Sequence, residues 1–109
     1  MISPWIYAGL VKGDYNLRDS DYILNVVSKY YRVSKEDILG SKRFAKFVLA
    51  RHTVIKLLKE YTNLFLKDIG KVVGGIDHST CIHAIKAMND RLEVDKLYQK
   101  QYKELLNKL

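Results

Sequence analysis

A chain of 109 residues has room for one domain, and with 48% apolar residues it can bury a core, which argues against a disordered protein. The single cysteine, Cys81, excludes an internal disulfide and fits a reducing cytoplasm, and no apolar run reaches membrane-spanning length. Net charge is +7, and six of the 19 lysines and arginines fall between residues 41 and 59 with no acid among them, so a polyanion is the natural partner.

Residues 1–18 mix Trp5, Ile6, Tyr7, Leu10 and Val11 with Pro4, Gly9 and Gly13, the composition of an irregular arm. The start lacks the basic region and apolar segment of a signal peptide, so a cytoplasmic protein is expected. The arm's aromatics either cover a core edge or form a docking surface. Beyond Pro4 the chain has no proline, and residues 19–109 read as one helical domain.

The first helix is expected to begin at Asp19 or Ser20, with Ile23, Val26, Val27 and Tyr30 on one buried face. Ser34 to Asp37 resembles a capping box and opens a short helix that ends at Gly40. Ser41 to Phe44 is a loop. A long helix follows from Ala45 to Thr62, with Phe47, Val48, Ile55, Leu58 and Tyr61 on its apolar side. His52, Lys56, Lys59 and Asn63 recur along it at helical spacing and form a polar, mostly basic stripe.

The centre of the chain is a short helix, a glycine turn and a longer helix. Leu66, Ile69 and Val73 share a face of the short helix, and Gly74-Gly75 stops it. Asp77 is an N-cap for the next helix, whose apolar positions are Ile82, Ile85, Met88 and Leu92. This is the pattern of a helix-turn-helix, in which the first residues of the second helix meet base edges in the major groove. Here they are Asp77, His78, Ser79 and Thr80, all short and polar, while Cys81 and Ile82 are expected behind them as buried side chains. A last amphipathic helix over Asp90 to Leu109 puts Tyr98, Tyr102, Leu105 and Leu109 on one face and closes the bundle. The predicted fold is all-α, a compact bundle of about six helices.

His78, Cys81 and His83 do not make a zinc site, because the two histidines are five apart and no second cysteine exists. Asp77, His78 and Ser79 have the residue types of a hydrolytic triad, but neighbours on one helical turn cannot line up as nucleophile, base and orienter. Neither metal, cofactor nor catalysis is expected.

From Gly74 to Ala84 the chain reads Gly-Gly-Ile-Asp-His-Ser-Thr-Cys-Ile-His-Ala. This resembles the signature of the DNA-binding domain of the DnaA family of bacterial replication initiators, usually Gly-Gly-Arg-Asp-His-Thr-Thr-Val-Leu-His-Ala. Similarity runs without gaps from about Tyr30 to Met88 and more loosely to the C-terminus; residues 1–18 lie outside it. The resemblance implies sequence-specific binding of double-stranded DNA at an A/T-rich initiator box. It makes Asp77 and His78 base readers and keeps Thr80 for base or phosphate. Ser79 stands where the family has a threonine whose methyl meets thymine. Arg43 matches a loop arginine that enters the minor groove, a role that suits a narrow A/T-rich groove. Arg51 and Lys59 match phosphate-holding positions, His52 stands where glutamine is common, and His83 is retained near the DNA backbone. Lys42 and Lys56 of the basic segment complete the expected phosphate set.

Two departures stand out. Ile76 replaces the family's turn arginine, and Ala50 replaces a proline, a change expected to loosen the start of the long helix. In full-length members a nucleotide-binding module precedes this domain. No phosphate-loop motif occurs here, so no nucleotide site is expected, and Met1 favours a stand-alone relative over an excised fragment. The alternatives are a DNA-binding regulator or mobile-element protein that reuses the domain, or a helical protein-interaction module that docks through residues 1–18 or the C-terminal helix.

Overall fold

The structure, a computed structural model, describes residues 15–109, with side chains from residue 20 onward. The described residues form helices α1 (Tyr15–Tyr31), α2 (Lys35–Leu39), α3 (Ala45–Tyr61), α4 (Leu66–Val72), α5 (His78–Val94) and α6 (Lys96–Lys108), with no strand. The all-α prediction holds. Residues 1–14 of the expected arm lie outside the described residues.

Three boundaries differ from those read in the sequence. α1 is already helical at Tyr15, because Tyr15 to Arg18 contain no glycine or proline to stop it. α5 runs on to Val94 instead of yielding to a new helix at Asp90. The break falls at Asp95, whose N–H donates to Arg91 O and whose carboxylate accepts from Tyr98 N. One aspartate thus ends α5 and caps α6. Ala50 lies fully buried inside α3, which is helical from Ala45.

α3 is the central post, packed by α1, α2, α4 and α5, while α6 leans on α5 and α1. Val54, Ile55, Leu57 and Leu58 of α3 are fully buried, against Ile23 and Val27 of α1, Ile38 of α2, Ile69 of α4 and Cys81 and Ala84 of α5. Each of the valine, leucine and isoleucine side chains contributes roughly 1.5–3 kcal/mol by leaving water. The tyrosines fasten α6. Tyr31 donates to Gln101, Thr53 and Tyr98 share a 2.7 Å hydroxyl contact, Tyr22 donates to Lys108 O, Tyr30 binds Glu104 and Tyr102 binds Glu60. Tyr98, Tyr102 and Leu105 are buried within the chain, so the apolar face of α6 is already covered.

Candidate nucleic-acid interface

The turn between α4 and α5 sets the site. Gly70 lies within α4, and its carbonyl accepts from both Gly75 N (2.9 Å) and Ile76 N (3.0 Å). A Cβ on Gly70 would sit 2.1 Å from Ile76 O, so only glycine lets the turn close this tightly. Gly74 has φ +93, and a Cβ there would meet Leu39 O at 2.1 Å. The turn is therefore pressed against the end of α2, and the two glycines fix where α5 begins.

Asp77 caps that beginning as its sequence position implies. Its carboxylate accepts from Thr80 N (2.9 Å) and Ser79 Oγ (2.7 Å). These bonds hold its carboxyl down at about 2, so it is ionised throughout the physiological range. Asp77, His78, Ser79 and Thr80 are all exposed, and Cys81 is fully buried beneath them, where burial pushes its thiol up. Ile82 is not buried as expected: it is 47% exposed, because the face of α5 turned to the core is made by Cys81, Ala84 and Met88.

Across from this helix start stands the loop between α2 and α3, with Lys42 and Arg43 exposed. Between the two runs a groove of about 800 Å³, lined by Arg43, Arg51, His52, Ile76 and Thr80, with Gly40, Ser41 and Val48 among its other walls. The fold thus brings the loop arginine and Thr80 of the first turn of α5 to one groove, while Asp77, His78 and Ser79 are exposed outside its lining. Lys59 and His83 are exposed on α3 and α5.

Two residues expected at phosphates make most of their polar contacts within the protein. Arg51 is only 8% exposed and donates to three main-chain carbonyls: Ile38 O (2.6 Å), Asp37 O (2.9 Å) and Lys42 O (3.2 Å). Those bonds occupy much of its guanidinium and tie α2 and the cationic loop to α3. Lys56 is 4% exposed, donates to Asn89, pairs with Glu60 at 3.1 Å and lies over the Tyr102 ring. It joins α3 to α5 and α6. Lys56 departs from the exposed stripe of α3 because it faces the α3–α5 contact. His52 is partly buried and lines the groove, and burial, then Arg51 and Arg91, lower its pKa, which disfavours its charged form in the free protein.

Sequence reasoning missed Gly70. A glycine within a helical pattern was the available signal, since it is costly there unless another backbone must come close. Among the described residues no group of three His, Cys, Asp or Glu could hold a metal ion, and no helix is long and apolar enough to cross a membrane.

The family model "Bacterial dnaA protein helix-turn-helix" matches residues 20–88. The chromosomal replication initiator protein DnaA of Neisseria meningitidis serogroup C is 39% identical over 87 residues, 80% of this chain and 17% of that protein. The protein of the same name from Bacteroides thetaiotaomicron is 35% identical over 104 residues, 95% of this chain and 22% of that protein. The matches thus span about a fifth of the length of these relatives. From the double-glycine turn to the capped helix behind it, this chain belongs to the DnaA helix-turn-helix family.

Proposed function

We propose that the domain binds double-stranded DNA sequence-specifically, in the manner of an initiator reading origin boxes. One observation carries this reading: in a DnaA-family helix-turn-helix, Thr80 in the exposed polar first turn of α5 and Arg43 of the cationic loop line one groove. α5 enters the major groove, where His78, Ser79, Thr80 and the open oxygen of Asp77 meet base edges. Arg43 enters the adjacent minor groove, and Lys42, Lys59 and His83 lie along the phosphates. Arg51 serves by bracing the loop, Lys56 by joining the helices. A role in replication initiation follows the names of the relatives.

The experiment is selection of preferred sites from a random duplex pool, repeated with His78→Ala and Arg43→Ala. His78→Ala should relax one or two central positions, at a cost of roughly 1–3 kcal/mol on the preferred site. Arg43→Ala should relax the A/T preference at one flank only. An unselective pool, or identical preferences in all three proteins, removes the reading.

A further inference from the structure

The loop that carries Arg43 ends in Phe44, and Phe44 breaks two local rules. It is the N-cap of α3, where a serine or aspartate side chain would satisfy a free N–H, yet its side chain makes no cap bond. It is also a large apolar ring left 65% exposed. The ring is braced: it meets the partly buried Phe47 edge-on at 5.3 Å between centroids. The loop beneath it is anchored through the Arg51 bond to Lys42 O. Its neighbours Lys42, Arg43 and Lys46 are all exposed cations. A rigid apolar ring among cations, beside the groove shared by Arg43 and Thr80, matches one ligand chemistry. The minor groove of duplex DNA offers phosphates to the cations and a base step to the ring.

We propose that Phe44 is a wedge that partly unstacks a base step beside Arg43 and bends the duplex away from the loop. This rests on the DNA-binding reading above, and it deepens it: site choice then depends on how easily the flank step opens, as well as on base contacts. Pyrimidine–purine steps, which unstack most readily, should be preferred there.

The probe is the duplex recovered by site selection, with 2-aminopurine placed at successive flank steps and a fluorescence donor and acceptor at its ends. At saturating protein, the wild type should raise 2-aminopurine fluorescence at one flank step and bring the ends together, as a kink of about 20° or more does. Phe44→Ser restores a capping side chain, so it should fold at least as stably. It should bind about tenfold more weakly, as for loss of one base–aromatic contact, and lose both signals. Phe44→Leu keeps an apolar wedge and should retain both. Wild-type binding without fluorescence change at any step overturns the wedge, as do signals that persist in Phe44→Ser, and either result leaves the DNA-binding reading standing. Failure of the wild type to bind any duplex overturns both.

Discussion

Lys56 and Lys59 lie one turn apart on α3 and serve different ends. Lys56 is spent on Asn89, Glu60 and the Tyr102 ring, while Lys59 is exposed. Counterion release counts only cations that reach phosphates, so salt dependence separates the two. Lys59→Met should lower the slope of log K against log salt by about 0.9. Lys56→Met should leave the slope unchanged and lower stability instead, because Glu60 and Asn89 lose their partner. Paired salt titrations and denaturant melts are the measurement. His52 gives a second residue-scale expectation. Its folded-state pKa lies below its ordinary 6.5, so between the two values the unfolded chain holds more protons. The stability it allows is complete above about pH 6.5 and declines as pH falls below that value. His52→Gln should flatten that part of the stability–pH curve, and an equal acid decline in the variant would assign the effect elsewhere.

The helix-turn-helix depends on two close approaches and one open turn position. Gly70 and Gly74 each face a carbonyl oxygen at 2.1 Å from a would-be Cβ, whereas Gly75, at φ +79, faces open space. Gly75→Ala should therefore cost only the left-handed penalty, about 1–2 kcal/mol. Gly70→Ala should cost about 3 kcal/mol, at the top of the overpacking range, although alanine is the better helix former. Denaturant melts of the two variants test the order, and the reverse order would mean that the turn does not close on Gly70. The same element shows what was legible in the sequence. Apolar spacing, the Asp77 cap and the double glycine are local signals, so the helices and their order could be read directly. Burial is not local. Lys56 looks like a member of a basic stripe, and Arg51 like one cation of an acid-free segment, until α2, α5 and α6 close over them. Ile82 fits an apolar spacing yet stands in solvent. The groove depends on how the α2–α3 loop meets the α4–α5 turn, a contact between segments far apart in the chain that no periodicity encodes.

At the scale of the molecule the question is how much of the +7 charge faces DNA. The acid-free segment over residues 41–59 carries six cations. With Arg51 and Lys56 committed inside the fold, the available cations there are Lys42, Arg43, Lys46 and Lys59. A slope of log K against log salt of about −3 to −4 follows. Ile76 offers a way to change that number by one. It is partly buried against the core and also lines the groove beside Arg43, His52 and Thr80. Its backbone is already held, since Ile76 N donates to Gly70 O, so the turn does not depend on the isoleucine side chain for its shape. A longer side chain at 76 can keep its aliphatic stem over the core and carry a charged head out to the groove rim. Ile76→Arg should therefore steepen the salt slope by about one unit and tighten binding to most duplexes at low salt, at a modest cost in stability from lost apolar burial. The gain should fade as salt rises and should be similar on preferred and scrambled duplexes, because a phosphate contact carries little sequence information. Salt titrations of wild type and Ile76→Arg on both duplexes provide the measurement. An unchanged slope in a folded variant would show that the α4–α5 turn stands away from the phosphates, with DNA approaching only from the side of α5 and the Arg43 loop.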